Sequence, residues 1–68
     1  MKINPNYLDK FINTKYYYFY PVMKGVYLSF DKSTLEYIDV EFMFTPNYII
    51  DKYVLQKLNE LYSISYLI

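Results

Sequence analysis

Five consecutive aromatic residues, Tyr16-Tyr17-Tyr18-Phe19-Tyr20, constrain the fold of this chain more than any other stretch. Rings at successive positions pack well on a pleated surface and lose rotamer freedom in a helix, so the run is predicted to be a strand. Alternate side chains of a strand point to opposite faces. Tyr16, Tyr18 and Tyr20 therefore share one face, and Tyr17 and Phe19 the other. One face can serve a core. The other has to be covered by a helix, a partner or water.

The chain around this run has 68 residues, enough for one domain. A domain of this size buries only about 60% of the surface its unfolded chain exposes, and self-association, most often as a two-fold dimer, is one route to added stability. There is no cysteine and no histidine. Disulfides, thiolate metal sites and the commonest general base are thereby excluded. No cofactor, metal or catalytic motif stands out, so the chain is expected not to be an enzyme. Met1-Lys2-Ile3-Asn4-Pro5 lacks the apolar segment of a signal peptide. No stretch approaches the roughly 20 apolar residues of a membrane span. The expectation is a soluble cytoplasmic protein, in the host cytoplasm if phage-encoded.

Taken in order, the chain predicts an α+β fold. Asn4 and Pro5 suit the cap and first position of a short helix over 5–12, whose Tyr7, Leu8, Phe11 and Ile12 share a face. A strand over about 15–23 carries the aromatic run. Pro21 cannot donate to a ladder, so this strand is expected to be an edge or to bend. Lys24-Gly25 is the hairpin turn, and a second strand over about 26–31 places Val26, Leu28 and Phe30 opposite Tyr27 and Ser29. After a turn at 31–34, a third strand over about 35–44 alternates Ile38, Val40, Phe42 and Phe44 with Tyr37, Asp39, Glu41 and Met43. Short loops predict an antiparallel three-stranded meander. Thr45 as cap and Pro46 as first residue open a longer helix over 46–62. Asp51 falls near its start, and Ile50, Val54, Leu58 and Leu61 form a stripe, widened by Leu55 and Tyr62, that covers the sheet. Residues 63–68 fit either a continued helix or a short alternating terminal strand, and the expectation is a helix ending near Tyr62 with an extended tail beyond it.

The net charge is zero but unevenly spread. Residues 31–51 carry Asp31, Glu36, Asp39, Glu41 and Asp51 against Lys32 alone. Asp39 and Glu41 lie on one face of the third strand, with Cα atoms ~6.6 Å apart. Such a row can imitate successive phosphates of a nucleic acid, with Tyr37 in place of a stacked base. Glu36 lies near, on the other pleat, and Met43 continues the face. A solvated strand carries charges for solubility as well, and that plainer role competes with mimicry. A second candidate surface is Tyr16, Tyr18, Tyr20 and Tyr27, placed to stack bases or to meet a protein. Zero net charge and the absence of arginine argue against direct nucleic-acid binding.

The profile of a tiny, cysteine-free, glycine-poor chain without catalytic groups resembles that of the small inhibitor proteins that phages and mobile elements direct against host enzymes. That resemblance implies a binding protein whose partner is a host DNA-processing or defence enzyme, such as a uracil-DNA glycosylase or a CRISPR nuclease. The protein-binding residues would be Glu36, Tyr37, Asp39, Glu41 and Met43. The alternatives are a single-stranded nucleic-acid binder using the tyrosines, or a homo-oligomerisation module.

Overall fold

A computed structural model describes residues 1–44 and 46–68. The order of elements is a 3-10 helix (Pro5–Lys10), β1 (Ile12–Asn13), β2 (Tyr17–Met23), β3 (Val26–Asp31), β4 (Tyr37–Phe42) and α1 (Asn47–Ser63). The α+β class and the antiparallel meander stand. The sheet has four strands in the order β1-β2-β3-β4, one more than predicted.

The extra strand comes from the N-terminal segment. Asn4 caps as predicted, its side chain accepting from the Asn6 N–H at 3.1 Å, and Pro5 takes the first position. The helix that follows is only a 3-10 turn over Pro5–Lys10 and stops short of the predicted residue 12. Tyr7 leaves helical geometry at φ −122° and ψ 20°, and Phe11 is extended at φ −112° and ψ 148°. The extended Phe11 swings Ile12 and Asn13 into register with Phe19 and Tyr18. Because β1 reaches only to Phe19, the Pro21 stretch of β2 has a neighbour on one side alone, which a proline tolerates.

Two irregularities in the ladder decide which side chains face the core. A plain register through the Lys24-Gly25 turn, continued from Met23↔Val26, would set Pro21 opposite Leu28. Instead Pro21 pairs with Tyr27, Tyr20 with Leu28 and Tyr18 with Phe30, with a shift between Pro21 and Met23. A one-residue shift exchanges the two faces of a strand. Tyr18, Tyr20 and Val22 thus join Leu28 and Phe30 on the core side, and Tyr17 and Phe19 face outward. A second shift, between Ser29 and Phe30, leaves Ile38 as the extra residue of β4. Tyr37 is thereby brought opposite Phe30, and the two rings meet edge to face at 5.6 Å. The predicted apolar face of Ile38, Val40, Phe42 and Phe44 does not form: Val40 packs on the core, and the other three are exposed.

Helix α1 covers the core side. Ile50 and Leu61 are buried and Val54 and Leu58 half-buried, as the stripe predicts, but Leu55 and Tyr62 are exposed and do not widen it. The helix begins with Pro46 as its cap residue and has no acid in its first turn, so Asp51 lies past the region where the macrodipole acts. Thr45, the predicted cap, lies outside the described residues. The C-terminus closes with two paired hydrogen bonds, Tyr66 N–H to Leu61 C=O at 3.0 Å and Ser65 N–H to Tyr62 C=O at 3.2 Å. Ser65 holds the left-handed position of this motif at φ 62°.

Ser63 ends α1 and Ile64 and Ser65 form the turn, so the extended tail predicted for 63–68 is confined to its last residues, and these are paired. Lys2 and Ile68 exchange backbone hydrogen bonds at 2.9 and 2.8 Å, and Ile3 bridges to Leu67. On its other side the N-terminal segment bonds β4's entrance, with Ile3 N–H to Leu35 C=O and Tyr37 N–H to Met1 C=O, both at 2.8 Å. Both ends of the chain thus line one core with the sheet and helix: Ile3, Phe11, Leu28, Phe30, Leu61 and Leu67 form a single buried cluster. Phe11 is its centre of aromatic contact, meeting Tyr20 at 5.1 Å, Phe30 edge-on at 5.3 Å and Tyr66 at 6.4 Å, and Phe30 in turn meets Tyr37.

Candidate interaction surface

The sheet is covered by α1 and the chain ends on one side only. Cross-strand pairing sets out the opposite face in two rows, Ile12–Phe19–Ser29–Asp39 and Pro21–Tyr27–Glu41. Tyr17 continues the outward side of β2 beside Phe19, their centroids 5.9 Å apart, and Phe19 lies 6.1 Å from Tyr27 at a tilt of 55°. Three rings thus run diagonally across the open face from the start of β2 to the middle of β3. Ile12, Tyr17, Phe19, Tyr27, Glu41 and Met43 bound an open groove of about 550 Å³ there.

The open face has two structural anchors. At one, Gly25 closes the β2–β3 turn at φ 79°, and its carbonyl accepts from the Met43 N–H at 2.9 Å. A Cβ there would stand 3.0 Å from the Met43 carbonyl oxygen, so both the conformation and the space call for glycine. At the other, Ser29 is only 2% exposed and donates to the Asp39 carbonyl at 2.8 Å, tying β3 to β4 beside the irregularity at Ile38. These ties hold Asp39 and Glu41 on the face by backbone, leaving their carboxylates to solvent.

The acidic candidates divide. Asp39 and Glu41 are exposed, on the outward face, and joined there by the rings. Asp39 Oδ1 accepts from its neighbour's N–H at Val40, 2.7 Å away. Among the described residues the ion pairs are Lys10–Asp9 at 3.9 Å and Lys57–Glu60 at 2.8 Å, and neither Asp39 nor Glu41 takes part in one. Tyr37 does not join them, because the shift at Ile38 turns it to the core. Burial, and then the charge of Asp39, raise its phenol above the ordinary tyrosine value. Glu36 is exposed but lies in the backbone bridge to Lys2, away from the groove. Met43 is exposed at the groove's end.

The four tyrosines proposed as one surface do not form one. Tyr18 and Tyr20 are half-buried against the core, with Lys32 and Lys57 ammonium groups over their rings at 5.6 and 5.5 Å. Tyr16 is exposed on the turn before β2, under Lys15 at 5.3 Å. Tyr27 alone of the four lies on the open face. The outward rings that sequence reasoning passed over are Tyr17 and Phe19. Their strand face was legible from the alternation, but which face turns outward was decided by the shift after Pro21.

Phe44 was assigned to an apolar strand face and instead lies beyond the end of β4. It is 103% exposed, with φ 62°, in the segment between β4 and α1. A bulky residue in the left-handed region is strained, and this one gains no burial in return. With Phe42 and Met43 it forms an exposed apolar corner beside the groove.

Among the described residues no helix is long and apolar enough to cross a membrane, and no three carboxylates gather as a cation site. Comparison with protein-family models, with curated proteins and with solved structures finds no match.

Proposed function

We propose that this chain is a non-enzymatic binding protein that docks its open sheet face on a basic, nucleic-acid-facing surface of a partner protein and thereby inhibits it. One observation carries this reading: among the described residues Asp39 and Glu41 take part in no ion pair, and they share a face with a row of rings of which Tyr17 is exposed and Phe19 and Tyr27 are half-buried. The outward rings supply contact area and the carboxylates select a positive partner, the combination of an apolar anchor with electrostatic complementarity. Phe44 and Met43 at the edge of the face are the side chains suited to enter an apolar pocket. A DNA-acting enzyme of the host is the class of partner whose working surface has this character. Direct binding of single strands is disfavoured, since the carboxylates on the ringed face repel phosphates and Tyr18 and Tyr20 are taken up by the core.

The test is capture from a nuclease-treated bacterial lysate on the immobilised chain, alongside an Asp39→Asn/Glu41→Gln variant. The expected result is one stoichiometric protein, displaced by duplex DNA and by rising salt, and lost with the variant. A protein retained equally by both chains and indifferent to DNA would refute the reading.

A further inference from the structure

Within the open face, the groove formed by Phe19, Tyr27 and Glu41 has the make-up of a site for one cationic side chain. Tyr27 and Glu41 are directly opposed across β3 and β4. Opposed side chains in an antiparallel pair have Cβ atoms roughly 5 Å apart, so a planar group lying on the Tyr27 ring comes within reach of the Glu41 carboxylate. Phe19, 6.1 Å from Tyr27 and tilted 55° to it, gives the groove a second aromatic wall. Ile12 and Met43 add apolar atoms to its lining, and among the described residues no lysine lines it. The chain's own ammonium groups that lie over rings do so at Tyr16, Tyr18 and Tyr20, all outside the groove.

We propose that this groove receives an arginine side chain of the partner protein, its guanidinium stacked on Tyr27 and paired with Glu41. Arginine fits better than lysine. Its flat, weakly hydrated cation stacks on a ring and offers two parallel N–H groups to a carboxylate, and a lysine ammonium offers only a point charge. The volume of about 550 Å³ accommodates the aliphatic stem as well, against Ile12 and Met43. The inference rests on the reading of the open face as the docking face, and it names the group that the face recognises.

The experiment is a titration of the isotope-labelled full chain with the capped peptide acetyl-Gly-Arg-Gly-amide, followed by backbone and aromatic NMR signals. Matched peptides carry lysine or citrulline, the latter an uncharged copy of arginine. Millimolar binding is expected for a single residue, with signal changes centred on Phe19, Tyr27 and Glu41. Citrulline should bind at least fivefold more weakly and lysine severalfold more weakly. Glu41→Gln should lose about fivefold for arginine while the spectrum stays dispersed, because Glu41 is exposed and its replacement leaves the core intact. Equal response to arginine and citrulline, or an unaltered affinity in Glu41→Gln, overturns the proposal. The two readings fail separately. If the arginine peptide does not bind yet capture still depends on Asp39 and Glu41, the docking face stands without the arginine site. If the peptide binds as expected but capture ignores both carboxylates, the site is real and the docking reading falls.

Discussion

Replacing Phe44 by Asn should make this protein more stable, although losing an aromatic side chain ordinarily does the opposite. The ring is 103% exposed, so its removal forfeits no buried area; a buried ring of this size would contribute about 1.5–3 kcal/mol. The backbone at Phe44 is left-handed, at φ 62°. That conformation costs an ordinary L-residue roughly 1–2 kcal/mol, and Asn, whose short side chain bonds locally, adopts it more readily. Recovering half of the strain gives about 0.5–1 kcal/mol, which for a domain of this size raises Tm by roughly 2–8 °C. Thermal unfolding followed by circular dichroism reads the shift directly. The same variant should bind the captured partner about thirtyfold more weakly, the equivalent of about 2 kcal/mol for an interface anchor. A residue held in strain without burial, and improved by removal, is what a binding surface retains at the expense of stability. A fall in stability of more than about 1 kcal/mol would mean that the ring is packed in solution, and the reasoning would be refuted. A gain in stability with no loss of binding would leave the strain argument standing and remove Phe44 from the interface.

Other expectations follow from the same geometry. Phe30→Ala removes a fully buried ring and two edge-to-face contacts, a loss of about 3–5 kcal/mol against a total stability of roughly 3–10 kcal/mol for a chain of this length, so the variant should lose a third or more of its stability, read as a much lower midpoint in urea unfolding. Ser65→Gly places a residue without a Cβ at the left-handed position that closes α1 and should stabilise by about 0.5–1 kcal/mol in urea unfolding. Asp31 accepts from the Ser33 hydroxyl, the Thr34 N–H at 3.0 Å and the Ser33 N–H at 2.8 Å, and these bonds hold its carboxyl below the ordinary value. A lowered pKa in the fold means stability that is present above the ordinary carboxylate range and lost as pH falls through the lowered value. Asp31→Asn should therefore flatten the acid side of the stability–pH curve, and an unchanged acid limb would show that the turn's hydrogen bonds do not persist in solution.

Much of the architecture was legible in the residues. Asn4-Pro5 wrote a cap and a first position, the spacing of Ile50, Val54, Leu58 and Leu61 wrote the covered stripe of α1, and Lys24-Gly25 marked the hairpin. These features depend on neighbours within one or two turns of chain, and local sequence specifies them. The acidic half of the candidate surface was legible too, since Asp39 and Glu41 alternate with apolar residues whichever way the sheet is turned.

The aromatic half was not legible, and the reason is one of period. A strand repeats every two residues, so its alternation shows two faces without saying which is inside. That choice was made twice by a single unmatched residue. The shift after Pro21 sent Tyr18 and Tyr20 to the core and Tyr17 and Phe19 outward, and the shift at Ile38 turned Tyr37 away from the carboxylates it follows in sequence. Tertiary structure decided these shifts because register answers to partners elsewhere in the chain. The core side of β3 has to meet α1, while the N-terminal segment pairs with both β4's entrance and the C-terminal tail. The sequence by itself determined that two sheet faces exist and what chemistry each strand could offer; packing at a distance selected which rings face outward.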